Sequence, residues 1–330
     1  MSKLLSICIP TFKRKDLFEL CIESLERNIR AIKKDTDIEI LVSINDSSHY
    51  KIDVLSKYKS LKQYLVINHN SENIGGDKNI IKCYKKAIGK YIWVIGDDDY
   101  ILDESIACII KEIKEKEPSC IFVNSYGYKK LYNEKPIFND LTYSCDFNYF
   151  IEKISYKSTF ISSIVVNREL LDYNAAKDFE NTSLYQLNLL LQASSHNNNL
   201  IIGKFLIAAK INHEYNYNFY DVFVRNYSQQ LLLYLDDVIY KKVIVKTILL
   251  FYSQYFLYKR LNNIPINNLM IFDKSLCNFL SYRIIRLIIS LPRWAALIYG
   301  FIVIVLSRVR YGDILLLISK VLLKFRVLSK

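Results

Sequence analysis

Five short apolar runs organise the first 125 residues: Leu4–Pro10, Ile38–Ile44, Tyr64–Asn68, Tyr91–Ile95 and Cys120–Asn124. Each is rich in β-branched or aromatic residues and stops at a polar loop, the signature of strands, with Leu4–Pro10 and Tyr91–Ile95 reading as buried ones. Helical spacing separates them. Asp16–Ile29 repeats apolar residues at Leu17, Leu20, Cys21, Leu25 and Ile29, and Lys78–Ile88 follows the tight turn Gly75-Gly76. Asp77 is the expected N-cap of that second helix and Gly89 its stop. The alternation of strand and helix predicts an α/β fold with a mostly parallel sheet and helices on both faces. Right-handed crossovers then bring the carboxyl ends of the strands to one edge.

The polar segments at that edge carry the candidate chemistry. They are Thr11–Arg14, Asn45–Ser48, Asn73–Asn79 and Asp97–Asp99. The last stands out: the run YIWVI ends at Gly96 and three carboxylates follow, Asp97, Asp98 and Asp99. Ligands of open α/β sheets bind outside the carboxyl ends of the strands. Carboxylates two residues apart can hold a hard cation such as Mg²⁺ or Mn²⁺ that also binds substrate phosphates. Asp-rich turns also follow strands simply because Asp tolerates turn geometry, so the convergence of four polar loops matters more than the triplet. No GxGxxG or GxxxxGK[ST] loop is present, which argues against a dinucleotide site and a P-loop.

Taken in order, IPTFKR, a strand ending in NDSS, NIGGDKN and WVIGDDD resemble the nucleotide-sugar transferase domain of GT-A glycosyltransferases, family 2, in its abequosyltransferase-like bacterial branch. The likeness covers roughly residues 3–125 and continues more loosely to about 225. It implies residues 1–225 as a GT-A domain of Rossmann-like type, with 1–125 the nucleotide-sugar half and 126–225 the acceptor half. It also implies that Asp97 and Asp99 flank the donor diphosphate, that Asp98 belongs to the same site, and that Asp99 is the direct ligand of Mn²⁺ or Mg²⁺. By the same resemblance Pro10, Thr11 and Arg14 line the nucleotide pocket, Asp46 meets the base or ribose, and Asn73, Gly75 and Asn79 form a donor-side loop. Where many relatives have DDGS after the second strand, this chain has NDSS, so the first acid is missing.

An inverting displacement also needs a carboxylate to take the acceptor proton. Relatives carry it in an ED-like element ahead of a helix. Asn181–Ala193 reads as that helix, and Glu180, then Asp178, are the nearest matches. Both acids also suit a helix N-terminus for electrostatic reasons alone. His213 is a further metal ligand by resemblance, or a surface imidazole.

The remaining chain is read from composition. Phe160–Val166 is a further strand, Asn167–Leu171 starts a short helix, Ile201–Lys210 is another strand, and Tyr227–Leu257 is helical. The formal charge is +12, and nine basic residues against one acid lie between Arg283 and Lys330. They sit among long apolar runs, so region 226–330 reads as helical and membrane-associating, an anionic membrane surface being a better partner than nucleic acid. A helical subdomain packing on the core or on a second copy, giving a homo-oligomer, is the alternative. Seven scattered cysteines and the lack of a secretory leader predict a cytoplasmic protein, attached peripherally to the inner face of the membrane.

The expected reaction is sugar transfer from a nucleotide-diphosphate sugar to a hydroxyl of a glycan, lipid-linked in the main reading, in bacterial surface polysaccharide synthesis. A sugar nucleotidyltransferase is a second reading, though PTFKRKD lacks the Gly-rich loop such enzymes carry after the first strand. A membrane-tethered scaffold without activity is a third.

Overall fold

The computed structural model describes residues 3–32, 37–46, 57–128, 141–211 and 218–252, with Tyr255 and Lys259. The chain divides into two compact units, Met1–Tyr234 and Leu235–Lys330, where the sequence placed a boundary at 225. In the first unit β1 (Leu5–Thr11), β2 (Ile38–Ile44), β3 (Leu65–His69) and β4 (Tyr91–Val94) alternate with α1 (Lys15–Ala31) and α2 (Gly76–Lys86). Then come β5 (Tyr100–Ile101), α3 (Ser105–Lys116), β6 (Cys120–Tyr128), β7 (Thr142–Cys145), α4 (Phe147–Ile154), β8 (Ile164–Asn167), α5 (Tyr185–Ser194), β9 (Asn199–Lys210) and α6 (Tyr227–Leu232).

The strands form one sheet in the order β3-β2-β1-β4-β8-β6-β9-β5, with β7 pairing β9. β3, β2, β1 and β4 are parallel. The expected mostly parallel sheet is interrupted there: β8 inserts antiparallel between β4 and β6, β6 and β9 are again parallel, and β5 and β7 pair antiparallel with β9. The sheet is mixed because β8 enters from the carboxyl edge through a 3₁₀ turn at Ile161–Ser163 rather than by a crossover helix. That turn also takes the first residues of the strand expected over Phe160–Val166.

Every residue of β2 and β4 is buried, as a sheet covered on both faces requires. α1 lays Phe18, Cys21, Ile22, Leu25 and Ile29 on the sheet, at helical spacing. α5 is buried on every side, and two of its amides are tied together and to the chain: Gln192 Nε2 donates to Asn188 Oδ1 at 2.8 Å and to the Asp172 carbonyl at 3.1 Å.

Three local expectations change. β1 runs through Pro10 to Thr11, because its β4 partner stops at Cys8↔Val94, short of the proline, while β2 pairs on to Thr11↔Ile44. Asp77 does not cap α2; Gly75, at φ +87°, holds the N-cap position and Asp77 lies in the first turn. α5 begins at Tyr185 rather than Asn181, since 177–179 form a 3₁₀ turn and Ser183 is left-handed at φ +57°.

In the second unit α7 (Asp237–Thr247) starts at Asp236, whose carboxylate accepts from Val238 and Ile239 N–H at 2.9 Å. This cap ends the continuous helix expected from Tyr227 to Leu257. No helix among the described residues is long and apolar enough to cross a membrane. The basic, apolar tail expected to meet a membrane lies outside the described residues.

Candidate active site

Ile95 N–H extends the β1–β4 pairing by one bond, to the Cys8 carbonyl at 2.8 Å. The chain then turns at Gly96, and Asp99 N–H returns to the Gly96 carbonyl at 3.0 Å. This single turn at the tip of β4 holds all three carboxylates. A Cβ at 96 would lie 3.0 Å from both Asp98 Oδ1 and Asp99 Oδ2 and would press on both carboxylates. The two carboxylates therefore share the bare face of Gly96.

Asp97 points into the fold and is fully buried. Thr11 Oγ1 donates to its Oδ2 at 2.7 Å. Its Oδ1 is in contact with the Arg14 guanidinium as an ion pair, but without hydrogen-bond geometry. Burial pushes its pKa up to about 6 against the opposing pull of Arg14 and Thr11. Asp99 is also buried; it accepts from Ser162 Oγ at 2.6 Å and from Lys210 N–H at 3.1 Å. Burial, and next the charge of Asp98, raise its pKa to about 7. Asp98 is the outermost of the three, with its Oδ2 accepting from Arg14 Nη1 at 2.7 Å. Tyr128 Oη donates to the Asp98 carbonyl at 3.2 Å, and the Lys210 ammonium stacks over the Tyr128 ring.

The neighbouring loops are cross-linked by amides. Asn45 N–H donates to the Thr11 carbonyl at 2.9 Å. Its side chain donates to Asn73 Oδ1 at 2.7 Å and accepts from Ile74 N–H at 2.9 Å. Asn73 Oδ1 also accepts from Gly75 N–H at 3.0 Å. Asn79 is buried, with its Oδ1 accepting from Ser43 Oγ and Asn70 and its Nδ2 donating to the Ser43 carbonyl. It anchors the loop. Asp46 adopts φ +63° and pairs with Lys13 at 3.6 Å.

Thus Pro10, Thr11, Arg14, Asp46, Asn73, Gly75 and Asp97–Asp99 all border one edge of the sheet. Glu180 is elsewhere on the α2 flank: it pairs at 2.6 Å with Lys85, in the last turn of that helix. Asp178 is exposed in the 3₁₀ turn ahead of it. His213 lies outside the described residues.

Sequence reasoning missed Ser162. Its hydroxyl holds Asp99 and accepts from Gly96 N–H at 2.9 Å, while its carbonyl takes Trp93 Nε1–H at 2.8 Å. The sole signal was a pair of serines, Ser162-Ser163, inside an apolar run. Asn45 was read only as part of a turn.

Among the described residues no three His, Cys, Asp or Glu side chains are grouped to hold a metal. The donor set nevertheless fits a hard cation. Mg²⁺ is commonly bound by one or two carboxylates, with water and substrate phosphate completing the shell, and Asp98 Oδ1 and Asp99 Oδ2 lie over the same face of Gly96.

The sequence profile of "Glycosyl transferase family 2" matches residues 6–166. An abequosyltransferase of Salmonella typhimurium is 32% identical over 107 residues, 32% of this chain and 31% of that protein. A poly(ribitol-phosphate) beta-glucosyltransferase of Bacillus spizizenii is 30% identical over 106 residues, 31% of this chain and 16% of that protein. The match therefore spans a third or less of these relatives' length. Among solved structures, S. aureus TarS 1–349 in complex with UDP-GlcNAc superposes with a TM-score of 0.60 at 17% identity, covering 84% of this chain and 81% of that one. The crystal structure of S. aureus TarS 1–349 gives 0.59 at 17% identity, covering 79% of this chain and 78% of that one.

Proposed function

We propose that this chain, whose residues 6–166 match the profile of glycosyl transferase family 2, moves a sugar from a nucleotide-diphosphate sugar to a hydroxyl of a glycan acceptor, with inversion at the anomeric carbon. The observation that carries this is the turn at Gly96: three carboxylates at a strand tip, over Thr11 and Arg14, beside a loop braced by Asn45 and Asn73. Thr11, Pro10 and the Asn73–Gly75 loop form the wall for the nucleoside. Asp46, at the end of β2, meets ribose or base in this reading. UDP complexes of the structural neighbour support a nucleoside diphosphate as the first ligand to try.

Asp98 and Asp99 would hold Mn²⁺ or Mg²⁺. When bound, such an ion neutralises the charge that develops on the departing diphosphate. Arg14, released from the carboxylates, is long enough to bring its guanidinium to the same oxygens. Thr11 and Ser162 keep Asp97 and Asp99 from rotating, so the acid cluster is organised before the donor arrives.

The relatives' names, one an abequosyltransferase and one acting on poly(ribitol-phosphate), support an acceptor in bacterial surface polysaccharide. The basic, apolar stretch from Arg283 to Lys330 supports attachment to an anionic leaflet and hence a lipid-linked acceptor on the cytoplasmic side.

The test is a thermal-shift series on the full chain with UDP, GDP, CDP and their sugars, with and without Mn²⁺. Stabilisation by one nucleoside diphosphate that grows with Mn²⁺ is the expected result. No stabilisation by any of them, with the metal present, would sink the reading.

A further inference from the structure

The proposed transfer needs one carboxylate that is held in place, bears no cation and faces open space where an acceptor can lie. The acids of the carboxyl edge are mostly committed. Asp46 pairs with Lys13 and Asp98 with Arg14. Asp97 and Asp99 are buried and hydrogen-bonded. Glu180, on the flank of α2, pairs with Lys85.

Asp77 differs from all of these. It stands in the first turn of α2, which begins at the carboxyl edge directly after the Asn73–Gly75 loop. Its Oδ2 accepts from Ser183 N–H at 2.8 Å, and no basic side chain pairs with it among the described residues. The left-handed turn at Ser183 leads straight into α5. This is the stretch ahead of a helix where the sequence led us to look for the base, and a carboxylate is held there from α2 instead. Beside it, among the described residues, the structure is open: a Cβ at Gly75 or Gly76 would meet nothing within 4 Å. Burial raises the carboxyl pKa against the Ser183 hydrogen bond, the direction that makes a carboxylate a better proton acceptor.

We propose that Asp77 is the general base of this transfer. Its carboxylate takes the proton of the acceptor hydroxyl while that oxygen bonds to the anomeric carbon. The bond from that carbon to the diphosphate oxygen breaks, and its electron pair leaves with the nucleoside diphosphate. Ser183 is the positioning partner that fixes the carboxylate. The inference rests on the transferase reading above.

The experiment compares the wild-type full chain with D77N and E180Q. Three quantities are read: the melting temperature, UDP binding with Mn²⁺, and release of nucleoside diphosphate from UDP-GlcNAc, UDP-glucose, GDP-mannose and CDP-glucose, with water standing in for the acceptor. The side-chain amide introduced by D77N keeps an oxygen that can accept from Ser183 N–H. D77N should therefore fold and bind UDP like wild type, yet lose turnover by on the order of 10²-fold or more. If D77N melts early, D77S supplies an acceptor for Ser183 without the carboxylate and should show the same loss. Unchanged turnover in either variant, or loss confined to E180Q, overturns the assignment. A wild-type chain that binds no nucleoside diphosphate, or binds but never releases one from a sugar donor, removes the transferase reading itself and the inference with it.

Discussion

Arg14 Nη1 lies 2.7 Å from Asp98 Oδ2, and its Nη2 reaches Asp97 as well. The cation that balances the acid cluster is thus a side chain from the neighbouring loop. A divalent ion must compete with it. Arg14→Gln should therefore lower the Mn²⁺ concentration needed for half-maximal thermal stabilisation, even with no nucleotide present. The same variant leaves buried Asp97 short of a partner. It should cost about 1–2 kcal/mol, less than the ~3–5 kcal/mol of a fully buried pair because the guanidinium is half exposed. Denaturation with and without Mn²⁺ reads both effects; an unchanged Mn²⁺ requirement would show that Arg14 does not compete.

The raised carboxyls set a pH dependence. Burial holds Asp97 up to about 6 and Asp99 up to about 7, whereas in the unfolded chain both return to about 4. Between those values the native state keeps protons that the unfolded state has released. Their contribution to stability is therefore full at the acid end, falls as pH rises from about 4 to about 7, and is flat beyond. A cation binds the ionised forms. Added Mn²⁺ should raise the melting temperature more at about pH 7.5 than at about pH 5, which melting curves at the two pH values will show.

Ser162→Ala removes the hydroxyl that serves Asp99 and Gly96 at once. A buried carboxylate left with one fewer donor should cost about 1–3 kcal/mol. Freed to rotate, Asp99 should also bind Mn²⁺ more weakly. Urea denaturation and Mn²⁺ titration test the two consequences; a variant as stable as wild type would mean water replaces the hydroxyl.

Gly89→Ala tests the opposite end of the sheet. A Cβ there would meet Ser6 N at 2.5 Å and the Leu5 carbonyl carbon at 2.9 Å. The backbone of β1 cannot give way cheaply. Near it, Glu39 is buried and bonded to Ser6 Oγ and to Ile88 N–H. The substitution should destabilise by about 1–3 kcal/mol, measurable by urea denaturation, while UDP affinity of the folded fraction stays at the wild-type value.

Periodicity and turn residues were enough to read β1–β4, α1 and α2, the polar loops at their carboxyl ends and the acid triplet after Tyr91–Ile95. Those features are local: a buried parallel strand such as β1, β2 or β4 writes itself as a continuous apolar run, the edge strand β3 is apolar in sequence though Val66 and Ile67 are exposed, and a helix on a sheet writes an apolar stripe. What spacing along the chain cannot hold is which segment arrives from elsewhere. β8 turns the sheet antiparallel through a short 3₁₀ turn whose serine also orients Asp99, and that pairing spans more than sixty residues, from Asp99 to Ser162. Asp77 read as a helix cap because its sequence position suits one; the fold gives the cap position to Gly75 and turns the carboxylate to Ser183, 106 residues away. Glu180 read as the base because it precedes a helix; the fold brings Lys85 to it. A side chain's charge and size are fixed by its identity, but its partner is decided by packing, and it is the partner that sets whether an acid binds a cation, takes a proton or merely holds the chain together.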